Sequence, residues 1–332
     1  MPSIWMWVGF NAFVLAMLAV DLFFFHREAH EVRVREALGW SIAWIVLSLC
    51  FNGLVWHWRG SDAALEFLTA YLLEKALSVD NIFVFVLLFS YFRVPAKYQH
   101  RVLFWGVLGA LVMRGGMIAA GTYLIHNFGW VIYVFGAFLI ITGIRMAMQD
   151  DVEMDPGSNP MIKLVRRFIP VTNDYHGQKF FALEPVGAGI TGAVRRVATP
   201  LFVVLVLVET TDLIFAVDSI PAVFAVTTDT FIVYSSNVFA ILGLRALYFL
   251  LAGVIHKFHY LKLGLSIVLI FVGAKMLMSF KLHVPVGISL SVIALVLGGA
   301  VAASLLFPQK APPPVLPSVA PPDLEDGPDT TP

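Results

Sequence analysis

Charge is what this sequence has least of. Asp, Glu, Lys and Arg together make up 13% of its 332 residues, about half the roughly 25% found in soluble domains. That scarcity excludes a conventional globular enzyme with a polar shell. The 59% apolar content excludes disorder over most of the length. Cysteine is nearly absent. Cys50 stands alone, so no intrachain disulfide and no multi-cysteine metal site can form. Charge of one sign is missing too: 22 basic residues balance 22 acidic ones, which leaves no case for a nucleic-acid partner. No Gly-rich ATP motif is present. No Ser–His pair or HExxH appears in the apolar segments, and no enzyme is expected.

What the chain does have is apolar runs of around 20 residues, the length that crosses a roughly 30 Å hydrocarbon core. Mean hydropathy is +0.84. The reading is an all-α polytopic protein of the lipid bilayer with about nine spans, near 4–25, 37–57, 64–91, 101–124, 130–148, 199–225, 232–255, 260–280 and 284–307. The first run is preceded by no basic residue and followed by Arg27, Arg33 and Arg35, the reverse of a secretory signal. It is read as a retained helix. With nine spans, fifteen basic residues fall on one side and only Arg59 and Lys281 on the other. The positive-inside rule then puts the N-terminus outside and the C-terminus in the cytoplasm. Residues 1–307 are expected to form the membrane domain, with 149–198 as a cytoplasmic loop inside it. Within that loop 161–169 is a basic amphipathic stretch, suited either to the anionic leaflet or to packing on helix ends. Nine prolines in the last 25 residues mark 308–332 as a disordered tail.

A repeat lies under the apolar pattern. Ser78-Val79-Asp80-Asn81-Ile82 matches Ala216-Val217-Asp218-Ser219-Ile220, Arg114 matches Arg245, and Gly143-Ile144-Arg145-Met146 matches Gly273-Ala274-Lys275-Met276. The order is the same and the offsets are 138, 131 and 130 residues. Spans 3–5 therefore recur as spans 6–8. An odd number of spans per unit turns the second copy upside down, the architecture in which secondary transporters hold substrate between copies.

Eight charges sit inside these spans: Glu74, Lys75, Asp80, Arg114, Glu209, Asp212, Asp218 and Arg245. At about 2.5–3.5 kcal/mol each on insertion scales, leaving all of them unpaired costs roughly 20–28 kcal/mol. Such residues face bundle interiors and mark ion pathways. Asp21, Arg145 and Lys275 lie nearer helix ends, where snorkelling suffices. Glu74 precedes Asp80 by six residues, and Asp212 precedes Asp218 by six. On a straight helix that step separates two side chains by about 120° and about 9 Å. With Pro221 following the second acid, the third and sixth spans are expected to open there and release carbonyls. Carboxylates with Asn81, Ser219 and carbonyls would be hard oxygen ligands, suited to Mn2+, Mg2+ or Ca2+. Five acids against Lys75, Arg114 and Arg245 leave two negative charges, which one divalent cation cancels. The alternative is that the arginines simply neutralise acids within the bundle, the simpler account of Arg114 and Arg245 themselves.

The segments Glu74-Lys75-Ala76-Leu77-Ser78-Val79-Asp80-Asn81, Glu209-Thr210-Thr211-Asp212 through Ala222, and Phe239 through Gly253 closely resemble the TerC family of integral membrane proteins, in its Alx-like branch. The resemblance runs to about residue 307 and leaves out the proline-rich tail. It implies Mn2+ export from the bacterial cytoplasm, with an association with tellurite resistance and alkaline pH. It also implies a metal role for Glu74, Asp80, Glu209, Asp212 and Asp218, all of which match the family motif. The expectation is an inner-membrane secondary transporter with no permanent cofactor, Mn2+ as cargo and protons as a plausible coupling ion. Two rivals stand beside it: a carrier of Ca2+ or a small cationic metabolite, and a non-transporting scaffold whose acids are structural ion pairs.

Overall fold

Inside a bilayer no water is available to bond the backbone, so apolar segments close their hydrogen bonds internally as helices. The computed structural model describes residues 4–25, 34–148, 167, 169–172, 174–185, 194–254, 258–279 and 284–307. In chain order the elements are α1 (Ile4–Phe25), α2 (Val34–Arg59), α3 (Ser61–Tyr91), α4 (Ala96–Asn127), α5 (Val131–Met148), β1 (Phe181–Pro185), β2 (Val194–Ala198), α6 (Pro200–Phe224), α7 (Thr230–Leu242), α8 (Leu244–Leu251), α9 (Leu261–Met278) and α10 (Val286–Leu306). Six of these helices are long and apolar enough to cross a membrane, and α7 with α8 makes a seventh such span. Of the two remaining expected spans, α1 is apolar over Ile4–Val20, and α3 carries Asp62, Glu66, Glu74, Lys75 and Asp80 in a long helix. Large apolar side chains such as Trp5, Leu15, Ile42, Val112, Leu295 and Leu306 stand exposed around the bundle. On a soluble monomer so much exposed apolar surface would be anomalous; here it is the lipid-facing surface.

The repeat is visible in the packing. Helix α5 lies against its counterpart α9, and α3 against its counterpart α6, while α3 meets α7 as α4 meets α6. Swapping the copies exchanges the last two pairs, as a two-fold axis requires. The α5–α9 seam shows the same relation atom by atom. A Cβ on Gly273 would lie 2.6 Å from the carbonyl oxygen of Gly136, and one on Gly143 would lie 2.8 Å from that of Ser266. Gly143 is the counterpart of Gly273 and Gly136 of Ser266, so these are one contact seen twice. Rising numbers on α5 meet falling numbers on α9, so the second copy runs opposite to the first. Helices α1, α2 and α10 lie around this core. Phe51 of α2 joins α1 and α7 through rings of Phe10 and Phe239 at 5.4 and 4.9 Å.

Two expectations are corrected. Helices α3 and α6 do not open beside Asn81 and Pro221; both are continuous. Pro221 falls in the last turn of α6, where its missing N–H orphans only the Val217 carbonyl, and Ala225 N–H still bonds the Pro221 carbonyl at 3.1 Å. The break falls in the seventh span instead, where α7 and α8 meet at Gly243 with a bend of 41°.

The 149–198 segment, read as a loop, contains an antiparallel hairpin with Phe181 opposite Ala198 and Glu184 opposite Arg195. It leads directly into α6. Thr199 sits at the N-cap with its hydroxyl turned back to the Lys179 carbonyl at 2.7 Å, and Pro200 opens the helix, where its fixed φ fits and its missing N–H costs nothing. Most of the basic stretch 161–169, the tail 308–332 and the side chain of Asp21 lie outside the described residues.

Candidate functional site

Arg114 of α4 is the centre of the buried charge. It is 2% exposed, with Glu74 at 0%, Asp212 at 3%, and Asn81 and Ser219 at 2% each. Its guanidinium forks onto Asp212, Nε donating to Oδ2 at 3.1 Å and Nη2 to Oδ1 at 2.9 Å. Nη1 donates to Glu74 Oε2 at 2.7 Å and to the Ser219 hydroxyl at 3.3 Å. Asn81 Nδ2 adds a longer bond to Asp212 Oδ1 at 3.4 Å. Glu74 and Asp212 are counterparts in the repeat, and so are Asn81 and Ser219. One cation therefore ties the two copies together through matched groups. At about 1.5 Å per residue, Glu74 and Asp212 lie about 18–20 Å from the starts of α3 and α6, near the middle of each helix.

The charges here do not balance. Two carboxylates face one guanidinium, and no described residue bonds Glu74 Oε1. A short distance along α6, Glu209 packs its carboxylate directly over Gly109 of α4, and a Cβ there would push that carboxylate aside. Its Oε2 is buried and likewise without a hydrogen-bond partner. Burying an ionised carboxylate without a partner is costly, so these oxygens are the places where a proton or a cation is favoured.

The other expected residues are distributed around this centre. Asp218 accepts a bond from Thr142 of α5 at 3.2 Å. Asp80 is half-buried one residue before Asn81. Arg245, 6% exposed, lines a gap of about 10 Å³ together with Asp212, Val208 and Gly106. That gap is about the size of one water, and it places the counterpart of Arg114 on another side of the same aspartate. Lys75 turns away from the acids. Its Nζ donates to the Ala240 carbonyl at 3.3 Å and lies 2.6 Å from where a Gly243 Cβ would stand. Breaking a helix in lipid orphans its last carbonyls, and a buried lysine supplies a donor and a positive charge at that end.

Among the described residues, no three of His, Cys, Asp and Glu converge on a position for a metal ion. The acids are gathered around arginine, threonine and glycine, not into a finished cage. Sequence reasoning missed Thr142, Gly109 and Gly243, whose only signal was apolar context. It also missed a polar junction at one end of the bundle, where Asp229 pairs with Arg59 and caps α7 through the Phe231 and Ile232 N–H groups at 3.0 and 3.2 Å. Thr227 there donates to Glu66 at 2.6 Å. Burial tends to raise the Asp229 carboxyl, but the bond from Arg59 and the two backbone N–H groups hold it below the usual aspartate range. A separate cavity of about 600 Å³ between α1, α2 and α7 is lined by Trp5, Phe10, Phe51, Trp58 and other uncharged side chains. It suits an apolar occupant and not a cation.

Inverted helical repeats with paired charges at mid-depth define a polytopic integral membrane protein. The model of the integral membrane protein TerC family matches residues 59–311, and the chain belongs to that family. An uncharacterised membrane protein of Myxococcus xanthus, STKORF319, is 54% identical over 307 residues, covering 92% of this chain and 94% of the relative. Relatives bearing the provisional name "membrane-bound redox modulator Alx" are similar too. That of Salmonella typhi is 49% identical and that of Escherichia coli K12 48%, each over 297 residues, 87% of this chain and 90% of the relative. No solved structure matches the chain.

Proposed function

We propose that the chain is a secondary transporter that exports a divalent cation, with Mn2+ favoured, from the cytoplasm across a bacterial inner membrane. The observation that carries this reading is the excess of buried acid at mid-depth. Glu74 and Asp212 share one guanidinium, and Glu74 Oε1 and Glu209 Oε2 have no hydrogen-bond partner among the described residues. Structural pairing alone has no need of the surplus carboxylates, whereas an ion pathway uses them. Oxygen donors of this kind suit Mn2+, Mg2+ and Ca2+. Asp80 and Asp218, repeat counterparts at half-buried positions on either side of the centre, extend the path. Protons are the natural coupling ion, since a carboxylate that gives up a metal in a poorly solvated site gains by taking a proton. The N-terminus would face outside and the hairpin the cytoplasm.

The relatives' name brings redox chemistry into view. With Cys50 as its only thiol, this chain cannot exchange an internal disulfide, and a transported redox-active cation such as Mn2+ is one route to a redox effect. A second reading, the scaffold with structural ion pairs, draws on the two-pronged Arg114–Asp212 geometry.

Proteoliposomes loaded separately with Mn2+, Ca2+ or Mg2+, under imposed proton gradients, test the proposal. Mn2+ movement that collapses the proton gradient is expected. Movement of none of the three ions leaves the scaffold reading. Reporters fused after residues 128 and 156 should report outside and cytoplasm respectively; the same side for both would break the proposed orientation.

A further inference from the structure

We infer that Arg114 is a tethered cation that holds the place of the transported one, and that cargo binds by displacing it. This rests on the transport reading above and specifies how its site is emptied.

The guanidinium bonds Asp212 Oδ1 and Oδ2, Glu74 Oε2 and the Ser219 hydroxyl. Those are oxygen donors drawn from both repeat copies, the set a hard divalent ion would take. An ion and the guanidinium cannot both occupy the position between these oxygens, where two cations would repel each other. Arg114 cannot lose its charge at any ordinary pH, so it competes as a permanent cation. The charge arithmetic sets the direction of the competition. One arginine between two carboxylates leaves one negative charge over, and Glu74 Oε1 without a partner. A divalent ion in its place balances both acids.

The occupied-by-arginine state keeps two acids from facing each other bare in the low-dielectric core. Such a state makes an empty transporter stable enough to return without cargo. No three acids converge among the described residues; the two that meet, Glu74 and Asp212, do so at the guanidinium. Glu209, half-buried against Gly109 of the same helix and with its Oε2 bonded by no described residue, is the acid placed to receive the displaced guanidinium.

Competition of this kind lowers apparent affinity by the fraction of time the site is free. An arginine that holds the acids about nine-tenths of the time weakens binding about tenfold. The test is titration of the purified full chain with MnCl2, read by calorimetry and by melting temperature, for wild type, Arg114→Gln and Arg114→Lys. Arg114→Gln should melt lower without metal, be stabilised by Mn2+ by more degrees than wild type, and bind about tenfold tighter while turning over more slowly in proteoliposomes. Arg114→Lys, a point charge without the fork, should fall between the two. An Arg114→Gln protein that binds Mn2+ no tighter than wild type overturns the inference and leaves Arg114 a structural partner. If that variant does not accumulate, Arg114→Lys decides by the same criterion, tighter than wild type or not. Wild type that binds none of Mn2+, Ca2+ and Mg2+ is a different failure, that of the transport reading itself, and it is seen before any variant is compared.

Discussion

The two copies of the repeat share a scaffold, and one linked pair of positions sets their second helices apart. In the first copy the second helix, α4, is continuous through Val112. In the second copy its counterpart is broken at Gly243 into α7 and α8. The acid-bearing helices differ to match. Lys75 on α3 occupies the position that Leu213 holds on α6, and Lys75 is the residue that reaches the break. Where the glycine stands, the lysine stands opposite it; where valine replaces the glycine, leucine replaces the lysine. The asymmetry is therefore one device, a helix break in lipid and the donor that makes it tolerable. On the proposed transport reading, in which one repeat moves against the other, the break marks the copy built to differ.

The sharpest way to test this inequality is at the paired acids, where the copies look alike but carry different loads. Asp212 takes both prongs of the Arg114 fork and the Asn81 amide, while Glu74 takes a single bond from Nη1. Asp212→Asn removes the main partner of a buried guanidinium, a loss that typically costs about 3–5 kcal/mol. Glu74→Gln leaves Arg114 and Asp212 matched one to one, so its melting temperature should stay near wild type. If the proposed Mn2+ export holds, both should abolish it in proteoliposomes. Equal destabilisation of the two variants would show that the copies share the load evenly.

How much of this was legible beforehand follows from what repeats and what does not. The span pattern, the repeat and its inversion are carried by apolar runs and by paired motifs such as Asp80-Asn81 and Asp218-Ser219, which local sequence displays. The buried acids and Arg114 were legible because charge in lipid is expensive and stands out. The location of the break was not. Pro221 advertised one and Gly243 did not, because a proline in a last turn disturbs little, whereas a glycine acts here through a lysine that lies 168 residues away in sequence. The hairpin was missed because its strands pair only within the loop and beside Val171, with no apolar face long enough to read.

The next effects are about 1–3 kcal/mol. Gly143→Ala and Gly273→Ala each push a methyl onto backbone of the facing helix, at 2.8 and 2.6 Å, and overpacking of that kind costs about 1–3 kcal/mol. As repeat counterparts they should lower the melting temperature in detergent by similar amounts. A large difference would mean that the α5–α9 seam is not symmetric in energy as it is in geometry. Lys75→Met and Gly243→Ala should behave otherwise, because the first removes the donor and the second displaces it. Each should cost about 1–3 kcal/mol through an unsatisfied buried carbonyl, and the double variant should cost little more than either alone, since residues in contact are not additive. Additive losses would separate the lysine from the break.

The smallest expected effect lies at the α6–α7 junction, outside the helices. Asp229 ties the end of α2 to the start of α7, and its carboxyl is held below its ordinary range despite the opposing pull of burial. A carboxyl depressed in the fold adds stability that is complete above its unfolded value near 4 and is lost as pH falls through the lower folded value. Wild type should therefore lose this increment only in strong acid, below about pH 4. Asp229→Asn keeps an oxygen for the Phe231 and Ile232 N–H groups, so it retains the cap and loses only the ion pair with Arg59. At a partly exposed site that loss is about 0.5–1 kcal/mol. Melting curves of the two proteins, apart by a small constant amount near neutral pH, should converge as the pH drops below 4. The matching junction of the first copy, residues 92–95 between α3 and α4, contains no carboxylate; its carbonyls at Phe92 and Val94 accept from the Tyr175 hydroxyl and the Gln99 amide, so no substitution there should give the same acid dependence. Curves that stay parallel into strong acid would show that Asp229 acts as a cap and not as a charge.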